Sequence, residues 1–170
     1  MADNRMQNFL KLLNIDPKKH KSIAVVGGGG KTSLIFRLAE ELLIQGQKVI
    51  ITTTTHMAYE PSKPFALHGD ASAVREALSS QGMVIAAEYD FSTGKISSLS
   101  SQKLKELTGY GAVLLIEADG ARRMPVKIPK DWEPVIPDFV QLVIGVIGLD
   151  CLDKPIFKTA YSAENLAFFL

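Results

Sequence analysis

The residues best equipped for chemistry are four consecutive glycines, Gly27 to Gly30, followed directly by Lys31, Thr32 and Ser33. Glycines allow successive backbone N–H groups to converge on phosphate oxygens, and a helix starting at the lysine presents its positive dipole end to the same anion. Lys31 would reach the β- and γ-phosphates, and the Thr32 hydroxyl would ligate Mg²⁺. The expected cofactors are therefore ATP or GTP with Mg²⁺, held by Gly27, Gly28, Gly29, Gly30, Lys31, Thr32 and Ser33. A plain strand-to-helix turn would need neither the lysine nor the hydroxyl. The usual spacing G-x-x-x-x-G-K-[ST] would put a glycine at Val25, so the loop reads as a shortened form, G-x-x-G-K-T from Gly27.

A Mg²⁺-nucleotide needs further oxygens, which phosphoryl-transfer folds supply from the ends of neighbouring parallel strands. In A-V-L-L-I-E-A-D-G-A, residues 112–121, an apolar run delivers Glu117 and Asp119 at its C-terminal end, like a Walker B element. Either carboxylate could support the metal, so Thr32, Glu117 and Asp119 form the candidate metal set. T-T-T-T-H, residues 52–56, offers Thr54 for Mg²⁺ and His56 for a phosphate contact or a proton. A plain strand edge is the alternative there, because threonine favours strands. Four of the eight prolines crowd into M-P-V-K-I-P-K-D-W-E-P-V-I-P, residues 124–137. Such a segment suits neither a helix nor a central strand. It is expected as a rigid loop over the same sheet edge, holding Arg122, Lys127 and Glu133 near the γ-phosphate or a second ligand. The candidate catalytic residues are Lys31, Asp119 and Arg122.

The elements that must position these residues alternate between strand and helix. Met6, Phe9, Leu10 and Leu13 have helical spacing, and Ser22–Val26 reads as a strand. Apolar positions from Leu34 to Leu43 then recur with helical period until Gly46, and Lys48–Thr52 reads as a second strand. Strand, glycine loop, helix and strand in about 30 residues make a βαβ unit. Residues 53–69, interrupted by Pro61 and Pro64, read as a long loop. Further on, the pattern predicts a helix over 71–80, a strand over 83–87, a hairpin-like excursion over 88–98 and a helix over 101–107. Residues 112–117 and 139–147 read as parallel strands buried on both faces. Ser162 is placed to cap a last helix whose apolar end, Leu166 to Leu170, lacks a C-terminal signal, so the domain is expected to continue past it. The expected fold is α/β, a P-loop NTPase-like three-layer arrangement around a mostly parallel sheet, formed by residues 1–170 as one domain.

Composition excludes several function classes. Nineteen basic and eighteen acidic residues leave a net charge of +1, and no basic stretch exceeds Lys18, Lys19, His20 and Lys21, so no nucleic-acid partner is expected. The apolar run 142–149 is far shorter than the ~18 residues of a membrane helix, so no membrane partner is expected either. A lone Cys151 rules out an internal disulfide and fits a reducing compartment, the cytoplasm.

The loop length resembles that of the amide ligases that build peptidoglycan precursors. The spacing also resembles the GG-x-GK-T of dimeric metal-insertion and partitioning ATPases, although their signature lysine would fall on Val26. A wider resemblance rests on V-V-G-G-G-G-K-T at 25–32, T-T-T-T-H-M at 52–57, L-I-E-A-D-G-A-R at 115–122 and P-V-K-I-P-K-D-W-E-P-V-I-P at 125–137. Together these resemble the selenium-dependent hydroxylase accessory proteins, the YqeC-type selenium cofactor biosynthesis proteins. The resemblance implies a P-loop protein linked to maturation of selenium-dependent molybdenum hydroxylases, with a maturation partner among them; with the glycine loop and the acids, the leading expectation is Mg²⁺-dependent nucleotide binding with slow NTP hydrolysis. Two alternatives stand beside it: a small-molecule kinase or ATP-dependent ligase, and a nucleotide-binding regulatory module without turnover.

Overall fold

A computed structural model describes residues 8–168 of the chain. The strands are β1 (Ser22–Gly27), β2 (Val49–Thr53), β3 (His56–Ala58), β4 (Phe65–Leu67), β5 (Met83–Asp90), β6 (Lys95–Ser97), β7 (Val113–Glu117), β8 (Val126–Lys127), β9 (Leu142–Val146) and β10 (Ala160–Tyr161). The helices are α1 (Phe9–Leu12), α2 (Lys31–Ile44), α3 (Ala71–Ser80), α4 (Ser101–Leu107) and α5 (Ile156–Thr159). The main sheet has eight strands in the order β3-β6-β5-β2-β7-β1-β9, with β4 added alongside β5. β4, β5, β2, β7, β1 and β9 run parallel, and only the β3–β6 and β6–β5 pairings are antiparallel. The fold is thus α/β with a mostly parallel sheet.

Side chains on a strand alternate between faces, and here both faces are apolar. Ile23, Val25, Val49, Ile51, Val113 and Leu115 pack beneath Ile35, Leu38 and Leu42 of α2, while Ala24, Ile50, Leu114 and Ile116 pack beneath Val74 and Leu78 of α3 and Leu104 of α4. A helix layer therefore covers each face. Burying each large aliphatic side chain contributes about 1.5–3 kcal/mol, which holds the strand ends in fixed positions.

The last strand departs from the expectation of burial on both faces. β9 pairs with β1 alone and ends the sheet. Leu142, Ile144 and Val146 pack on the α2 side, whereas Val143 is 46% exposed. The expected long loop over 53–69 also contains two three-residue strands, β3 and β4. Tyr59 stands edge-on to Phe65 and Tyr89 with ring centroids 5.2 Å apart in both cases, and this contact pins the segment to β5. The excursion after β5 is a hairpin as expected, with Glu88 opposite Ser97. After Ser162 the chain forms a 3-10 turn, Ala163–Phe168, instead of a capped α-helix. Met6 and the final Leu170 of the sequence reading lie outside the described residues.

The amphipathic run near the N-terminus yields a helix of only four residues, α1. Its start is held from outside: buried Glu41 of α2 accepts the amides of Phe9 at 3.0 Å and Leu10 at 2.9 Å and pairs with Arg37 at 3.1 Å. Removing the carboxylate orphans both amides, so Glu41→Ala is expected to cost about 2–3 kcal/mol in urea denaturation, with α1 the first element to exchange its amides. Among the described residues no helix is long and apolar enough to cross a membrane.

Candidate functional site

β1, β7 and β2 are adjacent and parallel, so their C-terminal ends share one edge of the sheet, where open α/β sheets place ligands. β1 runs into the glycine loop and β7 ends at Glu117. Register pairs Val25 and Thr53 with Glu117 from either side. That alignment brings the loop and the acids together.

The four glycines are required for two different reasons. A Cβ at Gly27 would lie 2.2 Å from Val146 O, one at Gly28 would lie 2.6 Å from the Pro125 carbonyl, and one at Gly29 would lie 2.6 Å from Gly148 Cα. These three make room for neighbouring backbone. Their amides are also engaged: Gly27 donates to Asp119 Oδ2 at 2.8 Å, Gly28 to Val146 O at 2.8 Å and Gly29 to Met124 O at 3.0 Å. Gly30 has nothing within 4 Å of a Cβ but adopts φ 96°, a left-handed conformation that L side chains strain to reach. It caps the N-terminus of α2. Among the described residues the amides of Gly30, Lys31, Thr32 and Ser33 find no hydrogen-bond partner, and these residues line a cavity of about 620 Å³. Within the loop, these are the amides left for an anion. Gly28→Ala, which meets fixed backbone, is expected to lower stability by about 1–3 kcal/mol. Gly30→Ala meets no atom and pays only for its dihedral, so thermal denaturation of the two variants separates packing from conformation.

The charged groups form a compact network. Lys31 Nζ donates to Gly27 O at 2.7 Å and pairs with Asp119 Oδ1 at 3.1 Å; the two side chains are 6% and 3% exposed. Apart from this ion pair, Asp119 Oδ1 accepts no hydrogen bond. Thr32 Oγ1 donates to Glu117 Oε2 at 2.6 Å. Burial pushes the Glu117 carboxyl above its ordinary value of 4.5, an effect reinforced by the Asp119 charge and opposed by the Thr32 hydrogen bond and Lys31.

The remaining predicted residues divide. His56 and Arg122 line the cavity with Gly29, Gly30, Lys31, Thr32, Ser33 and Glu117. Thr54 does not line it; its hydroxyl donates to Val135 O at 2.7 Å and its amide to Glu117 O at 3.0 Å, so it ties the proline segment to the sheet. Thr55, one residue on, faces the cavity instead. Lys127 is buried, donates to Gly120 O at 2.8 Å and forms an ion pair with Glu133, which leaves its ammonium committed to the protein. The proline segment lies against the glycine loop through Met124 O and Pro125, as expected, and contributes β8 to a separate two-stranded sheet with β10. Sequence reasoning missed Lys95, Arg123 and Tyr161, which also line the cavity.

The family model described as YqeC protein matches residues 23–164. The chain belongs to the YqeC family. This YqeC-family chain is also 40% identical over 135 residues to the Escherichia coli (strain K12) protein named "Uncharacterized protein YqeC", an alignment covering 77% of the chain and 53% of that relative. The chain thus spans about half the length of the relative it matches. No solved structure matches it. The matched region begins within β1 and runs past β10, so it contains every residue of the network around Lys31.

Proposed function

We propose that this chain is a P-loop protein that binds Mg²⁺-ATP or Mg²⁺-GTP at the N-terminus of α2 and hydrolyses it slowly. The observation that carries this reading is the set of four unpartnered amides, Gly30 to Ser33, opening into a cavity beside Lys31 and the Thr32–Glu117 pair. Every α-helix leaves its first amides without an intrahelical partner, but here no side chain caps them, and a polyphosphate satisfies the amides, the helix dipole and the lysine together. Lys31 exchanges its Gly27 carbonyl contact for a phosphate oxygen, and Asp119 keeps the loop in shape through the Gly27 amide.

The donor set fits Mg²⁺. This ion keeps several waters and takes one or two protein oxygens with the substrate phosphates, so a hydroxyl and a carboxylate 2.6 Å apart suffice. Thr32 and Glu117 would hold it, and it would neutralise and orient the phosphates. Asp119 is better placed as a positioning residue than as a ligand, since one oxygen holds Gly27 and the other faces Lys31. Slow turnover accords with Glu117 being held by Thr32 and with His56 standing exposed on β3, so that neither is fixed as a base.

The resemblance extends the reading to maturation of selenium-dependent molybdenum hydroxylases. Single-turnover assays with γ-labelled nucleotide test the chemistry: Mg²⁺-dependent release of labelled phosphate supports hydrolysis, and nucleotide bound intact for hours favours the regulatory-module reading. Restoration of selenium-dependent hydroxylase activity in a deletion strain by wild type but not by Lys31→Ala tests the pathway. The kinase or ligase reading is favoured by one observation, the cations on the cavity wall that form no ion pair among the described residues.

A further inference from the structure

Five basic side chains line the cavity, and they are not equivalent. Lys31 is neutralised by Asp119, and His56 carries full charge only when protonated. Lys95, Arg122 and Arg123 are exposed and form no ion pair among the described residues. The two acids on the lining are already engaged, Glu117 by Thr32 and Glu133 by Lys127. Asp90, opposite Lys95 in the β5–β6 hairpin, spends its carboxylate on Ser92 and Thr93. Three uncompensated cations therefore share a pocket with the free amides of α2.

The arginines are also held in place. Arg122 and Arg123 have φ of 46° and 64°, two successive non-glycine residues in the left-handed region. Such residues cost on the order of 1–3 kcal/mol each and persist where the surroundings over-determine them. Here three hydrogen bonds do so: Lys127 Nζ to Gly120 O at 2.8 Å, Met124 N to Ala121 O at 2.8 Å and Gly29 N to Met124 O at 3.0 Å. Arg122 additionally lies over the Tyr161 ring, 5.3 Å from its centroid. The last of the three hydrogen bonds joins this turn directly to the glycine loop.

We propose that Arg122 and Arg123, with Lys95, form a second anion subsite that receives a carboxylate- or phosphate-bearing acceptor molecule beside the nucleotide. Guanidinium groups recognise both oxyanions through paired N–H donors, and a fixed backbone lowers the ordering cost of binding. The co-substrate role rests on the nucleotide reading, whereas the subsite itself does not.

Calorimetry on the full chain separates the two. Orthophosphate and succinate are titrated into wild-type protein, both alone and saturated with Mg²⁺ and a nonhydrolysable ATP analogue. Binding of either probe to the saturated protein, weakened at least ten-fold in Arg123→Gln while analogue affinity changes less than three-fold, is the expected result; the probe that binds identifies the oxyanion. Arg123→Gly is the folding control, because glycine adopts the left-handed conformation without strain while losing the charge. If the analogue fails to bind but a probe binds free protein and is weakened by the arginine variants and not by Lys31→Ala, the nucleotide reading falls and the subsite stands. If neither probe binds either form, or if the arginine variants lose analogue affinity ten-fold, the subsite is overturned.

Discussion

Lys31→Ala is expected to damage the protein twice. It removes the cation that reaches the phosphates, lowering nucleotide affinity at least about 100-fold, the equivalent of a lost charge-assisted hydrogen bond of about 3 kcal/mol. It also strands Asp119, which is 3% exposed and, among the described residues, has only Lys31 to pair with its Oδ1. Breaking a buried ion pair from one side costs about 3–5 kcal/mol because the remaining charge is desolvated without compensation. The double variant Lys31→Ala/Asp119→Asn removes that charge and keeps an oxygen for the Gly27 amide. It should recover most of the stability and none of the nucleotide affinity. Urea denaturation of the wild type, the two single variants and the double variant measures the coupling. Equal stability for Lys31→Ala and wild type would show that Asp119 is not desolvated as the geometry requires.

Glu117→Gln should have opposite effects on stability and on metal dependence. The Glu117 carboxyl titrates above its ordinary value of 4.5, chiefly because it is buried. Its folded form therefore binds a proton more readily than its unfolded form. The stability from that protonation is complete below the unfolded value and is lost as pH rises through the folded one, so at neutral pH the buried charge weighs against folding. Glutamine keeps an acceptor for Thr32 and carries no charge to desolvate or to repel Asp119. The variant is expected to melt higher than wild type at pH 7, by about 2–4 °C for each kcal/mol gained. Near pH 4 the difference should shrink. The same change removes a hard anionic oxygen from the Mg²⁺ set, so Mg²⁺-dependent nucleotide affinity should fall at least about ten-fold.

Much of this arrangement is legible in the sequence because periodicity and breakers coincide. Ala71–Ser80 and Ser101–Leu107 are bounded by good caps, Asp70 and Ser100, and match the pattern residue for residue. Other features depend on contacts that no local pattern carries. β3 and β4 are three residues long, and their partners lie 37–41 residues on in β6 and 20 residues on in β5. The one-sided burial of β9 is masked by Val143 and Gly145, which make an edge strand look uniformly apolar. In the site, the loop, Glu117 and Asp119 could be singled out by motif. The commitment of Lys127 to Glu133 and the turn of Thr54 toward Val135 arise from how the proline segment packs, and the place of Thr55 and Arg123 on the cavity lining carries no motif of its own. The doubled Arg122–Arg123 within A-D-G-A-R-R was the available signal for the second cation.

The four free amides of α2 are expected to receive a Mg²⁺-bound nucleotide. Isothermal calorimetry of the full chain with ATP and with GTP, in Mg²⁺ and in EDTA, tests it most directly. Saturable binding of one or both nucleotides, weakened by EDTA and at least about 100-fold weaker in the stable Lys31→Ala/Asp119→Asn variant, is the expected result. No binding to the wild type, or equal binding by wild type and that variant, would contradict it.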